Sequence, residues 1–185
     1  MTDEHRPLTD HQIAAIARRI DRPLVLVGLM GVGKSTVGRV LGERLGRRVV
    51  DSDAVIEART GRTVREIFEA DGEDAFRILE TEALLDALAE HEPTVIAAAG
   101  GVVLRPRNRE ALRDSGARVV WLAADPSVLV ERVRSGGHRP ALDDDPAGTL
   151  RRMHETREAL YREVADLIVS VDGRSVGEVV EAILR

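Results

Sequence analysis

Leu24-Val-Leu-Val-Gly28-Leu-Met-Gly31-Val-Gly33-Lys34-Ser35-Thr36, continuing from Val37 to Leu45, holds two patterns joined at a glycine loop. Leu24 to Val27 is an apolar run of strand length. After Lys34 the apolar residues recur with helical spacing. Between them stands Gly28-x4-Gly33-Lys34-Ser35, the phosphate-binding loop pattern called Walker A. Wrapping a phosphate requires several backbone N–H groups to turn inward, and glycines let the chain approach without Cβ clashes. The helix that follows aims its N-terminus at the same phosphate. In this pattern Lys34 reaches the β and γ phosphates and Ser35 ligates Mg²⁺. Gly38 and Gly42 lie on one helix face and are expected to allow close helix–sheet packing.

Outward from this stretch, strands and helices alternate. Short strands are expected at 24–28, 47–51, 94–98, 118–122 and 167–171. Helices are expected at 11–20, 34–45, 53–59, 63–90 with a break near Asp71-Gly72, 107–114, from Pro126, 150–165, and from Val176 to the end. Thr63-Val-Arg-Glu66 and Ser175-Val-Gly-Glu178 read as helix N-terminal capping boxes. Gly46 and Thr60-Gly61 read as stops. Residues 136–149, rich in Gly, Pro and Asp, read as a mobile loop. The alternation predicts an α/β fold, a parallel sheet flanked by helices. Ligands of such sheets bind beyond the carboxyl ends of the strands. That rule gathers Gly28–Ser35, Asp51–Asp53, Ala99–Gly101 and Leu122–Asp125 as candidates. Residues 1–21 read as an N-terminal extension with a short helix capped by Thr9 or Asp10, and 22–185 as a single domain.

Composition narrows the classes. A net charge of −5 argues against a nucleic-acid surface. No apolar run approaches the ~20 residues of a membrane span, and the polar start lacks a signal-peptide core. There is no cysteine, which fits a reducing cytoplasm. Four aromatic residues in all leave little for purine stacking. The five histidines show no metal-ligand spacing.

A phosphate loop calls for an acid near its Mg²⁺. Asp51 and Asp125 both end strands, but Asp125-Pro126 reads as a helix cap. Asp51 and Asp53 would share one side of extended backbone, with Ser52 on the other. The plain alternative is that Asp53 or Ser52 caps the next helix. Arg77 and Glu80 have the spacing of a surface pair worth ~0.3 kcal/mol. Arg157, among many charges, reads locally as a surface residue. Arg139, in the mobile loop, has the character of a lid arginine closing on transferred charge.

The phosphate loop, Asp51-Ser-Asp53, Thr60-Gly61-Arg62, Phe76-Arg77-x-x-Glu80, Gly100-Gly101, Arg139-Pro140 and Arg157-x-x-Leu160-Tyr161-Arg162 stand in the order found in shikimate kinases. The resemblance covers residues 22–185. It implies a P-loop kinase with a five-stranded parallel sheet and a mobile lid at 136–149. It also implies transfer of the ATP γ-phosphoryl to the 3-hydroxyl of shikimate, with Mg²⁺, by a cytoplasmic monomer. By the same resemblance, Gly31, Val32, Gly33, Lys34, Ser35 and Thr36 would bind ATP, with Arg134, Arg139 and Arg174 beside the nucleotide. Lys34, Asp53 and Arg139 would be catalytic. Asp53, Arg77, Gly100, Gly101 and Arg157 would bind the acceptor, and Ser35 and Asp51 the metal. Ala99 stands where the family has the first of three glycines, and its methyl demands ordinary backbone angles. A kinase of another carboxylated polyol such as gluconate, and a nucleotide-binding protein with a decayed acceptor site, are the alternative readings.

Overall fold

In the computed structural model, which describes residues 7–135 and 145–185, five parallel strands form one sheet in the order β2-β3-β1-β4-β5. They are β1 (Leu24–Val27), β2 (Val49–Asp51), β3 (Val95–Ala97), β4 (Arg118–Ala123) and β5 (Leu167–Ser170). All four residues of β1 are buried, because the strand lies mid-sheet with helices over both faces. Its register pairs Leu24 with Val95 on one side and with Arg118 on the other. The connection from β1 runs towards β2, and that from β3 crosses to β4. The two leave adjacent strands in opposite directions, which opens a crevice at their carboxyl ends.

The helices are α1 (Asp10–Arg19), α2 (Lys34–Leu45), α3 (Ser52–Thr60), α4 (Val64–Leu88), α5 (Pro106–Asp114), α6 (Pro126–Ser135), α7 (Pro146–Val164) and α8 (Val176–Leu184). Capping boxes open α1 at Thr9, α4 at Thr63 and α8 at Ser175, and left-handed glycines at 46 and 61 close α2 and α3. The break expected near Asp71-Gly72 is a kink inside α4, where Gly72 takes φ 84° and ψ 175°. Gly38 and Gly42 do seat α2 on the sheet. A Cβ on Gly42 would run into the Val49 side chain.

Two boundaries differ from expectation. Helix α7 begins at Pro146 rather than at 150, with the Asp145 side chain capping Gly148 N–H at 2.9 Å. Helix α3 is capped by Asp51, not by Ser52 or Asp53. One Asp51 oxygen accepts from Asp53 N at 3.1 Å and Ala54 N at 3.3 Å. Ser52 and Asp53 are therefore already helical, and the alternation of an extended chain does not govern where they point.

The main core lies around β1, β3 and β4 with α2, α7 and α8. A separate small cluster of Ile56, Ile67, Phe76 and Ala83 ties α3 to α4. Helix α1 is anchored rather than loose. Leu8, Ile16, Ala17 and Ile20 pack against the main core, and the Arg47 guanidinium donates to the carbonyls of Ala17, Ile20 and Arg22. Among the described residues no helix is long and apolar enough to cross a membrane.

Candidate active site

The crevice between β1 and β3 is a cavity of about 170 Å³. Met30, Gly31, Gly33, Lys34, Ser35 and Thr36 supply one wall, Asp51 and Asp53 a second, and Ala97 to Gly100 a third. Local physics builds the first wall. Gly31 and Gly33 take φ of 78° and 99°, a region that side chains with a Cβ avoid. Gly33 is the N-cap of α2 and offers no side-chain cap, and the first turn of α2 carries no acidic residue. The first N–H groups of α2 and its positive end thus face the cavity with no built-in anion, which is the arrangement that receives a phosphate. Val32 turns away and is buried in the core. Lys34 Nζ donates to the carbonyls of Gly28 at 2.9 Å and Leu29 at 3.0 Å, which holds the ammonium over its own loop.

The second wall brings both acids to the cavity, as the sequence suggested, by a different route. Asp51 ends β2 and spends one oxygen on capping α3, and Asp53 follows in the first helical turn. Among the described residues no three His, Cys, Asp or Glu side chains converge to hold a metal. That donor set fits Mg²⁺, which keeps several waters and binds through one or two carboxylates plus substrate phosphates. A hydroxyl (Ser35) and a carboxylate (Asp51) on one cavity wall meet that need. Asp125 is the helix cap the sequence predicted. It accepts from Ser127 N at 2.8 Å and from the Ser127 hydroxyl at 2.6 Å, and these bonds hold its carboxyl below the usual range.

The third wall joins helices far apart in sequence. The carbonyl of Gly100 accepts from Arg157 Nη1 at 3.2 Å and from the Tyr161 hydroxyl at 2.5 Å. Arg157 is not a surface residue: it is 6% exposed, and its Nε is buried without a partner among the described residues. The Arg77–Glu80 pair is not a surface pair either. Its N···O distance is 2.6 Å, the Arg77 side chain is 12% exposed, and Glu80 is buried. Arg77 also binds Glu73 at 2.7 Å and lies 5.6 Å and 5.9 Å from the ring centres of Phe76 and Phe68. Burial opposes the Arg77 charge, but Glu80 and Glu73 outweigh it and raise its pKa. Burial pushes the Glu80 carboxyl up, while Arg77 and then Arg157 pull it down and Asp53 adds to the rise. The four charges therefore act within one electrostatic neighbourhood.

The glycines of this wall have a steric purpose. Neither needs a left-handed backbone, and Gly101 has φ −93°. A Cβ on Gly101 would overlap the Arg77 guanidinium, so the absent side chain is the seat of that arginine. The methyl of Ala99 is 5% exposed and is accommodated in the wall. Arg174 is exposed on the turn between β5 and α8, outside this cavity lining. Arg139, the expected lid up to residue 144 and the side chain of Arg134 lie outside the described residues.

Sequence reasoning missed two parts of this wall. Glu80 was read only as a surface partner, and Tyr161 carried no role. The available signal was spacing: Tyr161 follows Arg157 by four and shares its helix face.

A family model described as "Shikimate kinase" matches residues 30–185. A shikimate kinase of Symbiobacterium thermophilum is 48% identical over 165 residues, covering 88% of this chain and 94% of its own length. The structure "Shikimate kinase from Acinetobacter baumannii in complex with shikimate" superposes with TM-score 0.85 at 36% identity, covering 91% of this chain and 94% of its own. A gluconokinase from Sinorhizobium meliloti gives TM-score 0.62 at 26% identity, with 89% and 90% covered.

Proposed function

The chain belongs to the shikimate kinase family, and on that premise we propose how its residues divide the transfer of the ATP γ-phosphoryl to the 3-hydroxyl of shikimate. The observation that carries the reading is the third wall. Two arginines from helices eighty residues apart in sequence, Arg77 and Arg157, meet at Gly100-Gly101 beside a phosphate loop. Two guanidinium groups brought to one place suit a carboxylate, which they can bind by paired hydrogen bonds. The acceptor carboxylate takes their donors, and the Gly100 backbone lies against its ring. The likeness to the gluconokinase is weaker in both identity and superposition, so shikimate is preferred over gluconate as acceptor.

The reaction is an in-line displacement. The acceptor oxygen forms a bond to the γ phosphorus, the bond from that phosphorus to the β,γ-bridging oxygen breaks, and ADP leaves. The acceptor hydroxyl loses its proton, and Asp53 is placed on the cavity wall to bind that hydroxyl and take it. Lys34 swings from the Gly28 and Leu29 carbonyls to the β and γ phosphates, where its charge meets the charge that develops. Gly31 to Thr36 cradle the phosphates with backbone N–H groups and hydroxyls. Mg²⁺, held by Ser35 and through water by Asp51, would supply further neutralisation of phosphate charge. Arg139 is assigned to the lid over the phosphates, and Arg134 and Arg174 to the adenine side. The domain is assigned to 22–185 with 1–21 as an extension, and the enzyme is taken as a cytoplasmic monomer. The absence of cysteine and the net charge of −5 support the compartment and the lack of a nucleic-acid partner.

The test is ADP production by the purified protein with ATP and Mg²⁺, comparing shikimate, gluconate and no acceptor. Turnover with shikimate alone is the expected result. Turnover with gluconate and not shikimate would replace the acceptor, and ATP binding without turnover on either would mean a decayed site.

The seat of Arg77 gives a narrower prediction. Gly101→Ala should leave the fold standing, because the atom it displaces ends a flexible side chain. It should raise the KM for shikimate on the order of tenfold, the loss expected for a weakened charged hydrogen bond, with the KM for ATP within about twofold. Equal KM values for shikimate in variant and wild type would show that Arg77 does not need this space.

A further inference from the structure

We propose that Tyr161 is a positioning residue of the acceptor site, its phenol holding the Gly100 carbonyl in place when the acceptor occupies Arg157. The inference rests on the shikimate kinase reading above.

Gly100 and Gly101 are consecutive glycines, and such a pair has more backbone freedom than any other. A wall that must present a fixed edge to a small acceptor needs that freedom removed. Two donors remove it. Arg157 Nη1 and the Tyr161 hydroxyl both bind the Gly100 carbonyl, using its two lone pairs. Because the peptide is planar and trans, fixing this carbonyl also fixes the direction of the Gly101 N–H.

The two donors are not equivalent. Arg157 is wanted by the acceptor carboxylate, and its contact to Gly100 is the longer one at 3.2 Å. Tyr161 has a single O–H, aimed at this carbonyl from 2.5 Å, and no carboxylate can use it without breaking that bond. Tyr161 therefore keeps the glycine pair in register at the moment Arg157 turns to the acceptor.

The ring is locked for this task. Tyr161 is 1% exposed and stacks on Trp121, with centroids 5.7 Å apart at 23°. Burial pushes its phenol up to about 12, with Arg157 and Arg77 pulling it down and Glu80 raising it. The group is thus a neutral donor across the working range of the enzyme. A tyrosine present only for packing would not need its hydroxyl on the carbonyl of a site glycine.

Tyr161→Phe keeps the ring and its stacking and removes only the hydroxyl. The KM for shikimate should rise on the order of tenfold, the effect of one lost hydrogen bond to a restrained group, while kcat and the KM for ATP stay within about threefold. A KM for shikimate within twofold of wild type, with wild type active, would overturn the proposal. Absence of shikimate turnover in wild type would instead overturn the functional reading on which it rests.

If the phenylalanine variant does not fold, the same question is answered without a mutation. The chain has one tyrosine, so biosynthetic replacement of tyrosine by a polyfluorinated analogue alters position 161 alone. The fluorinated phenol is more acidic and loses its proton within the assay range. The KM for shikimate should then rise with pH in the fluorinated enzyme and not in the ordinary one. Identical pH profiles would overturn the proposal.

Discussion

Lys34→Met should lower kcat on the order of a thousandfold or more, with the fold and ATP binding largely retained. Lys34 opens α2, and its ammonium bridges the Gly28 and Leu29 carbonyls across the loop it serves. It lies on the wall of the cavity with Ser35 and Asp53, within reach of a phosphate seated there. Methionine matches the length of the stem but carries neither charge nor donor. Phosphoryl transfer asks the protein mainly for positioning and charge stabilisation. Removing one preorganised group of this kind costs a hundred- to a thousandfold, and a charged group that meets the transferred phosphoryl costs more. Ground-state nucleotide binding falls less, because the backbone N–H groups of the loop and the end of α2 remain. Steady-state kinetics with ATP and shikimate, beside a thermal melt and an ATP titration, make the check. A variant that keeps most of its kcat would remove Lys34 from the chemistry.

Arg77→Ala should raise the KM for shikimate on the order of a hundredfold and destabilise the protein, and the two effects can be separated. A hydrogen bond between charged partners is worth about 1.5–3 kcal/mol, and Arg77 offers a planar fork to a carboxylate. Its loss should fall on the acceptor and leave the KM for ATP nearly unchanged. The stability effect comes from the partner left behind. Glu80 is 2% exposed and held by Arg77 at 2.6 Å. Breaking such a buried pair from one side costs about 3–5 kcal/mol.

The pH dependence follows in sign. Burial already raises the Glu80 pKa, and without Arg77 the strongest opposing influence is gone, so it rises further. A group with a raised folded pKa favours folding while both states are protonated and loses that contribution as pH climbs from the ordinary glutamate value through the folded one. The destabilisation of Arg77→Ala should therefore be small in acid and full at neutral pH. Adding Glu80→Gln removes the charge and should recover much of the stability, without recovering acceptor binding. Melting curves across pH and shikimate kinetics for both variants test the assignment. An unchanged shikimate KM in Arg77→Ala would end the role given to that residue.

The parts of the molecule readable in advance are those set by neighbours along the chain. The phosphate loop was legible because glycine, lysine and serine at fixed offsets determine its backbone and its donors. The kink at Gly72, the stops at Gly46 and Gly61 and the cap boxes at Thr63 and Ser175 were legible for the same reason. The acid wall was half legible. Asp51 and Asp53 were expected in the crevice, but the cap was given to Ser52 or Asp53, since all three residues have side chains that cap helices and the competition among them is decided by where β2 ends.

The sequence by itself determined the alternation of strands and helices, the phosphate site and the helix ends, because each depends on backbone preference and spacing within a few residues. Only the tertiary structure decided that Arg157, ordinary in a charged helix, is buried against Gly100. It alone decided that Arg77 and Glu80 form a buried pair, and that Tyr161 reaches across the sheet end to a glycine carbonyl. Burial is a property of what covers a residue, and here the cover comes from elements some sixty positions away. No local pattern of charge or hydrophobicity carries that information.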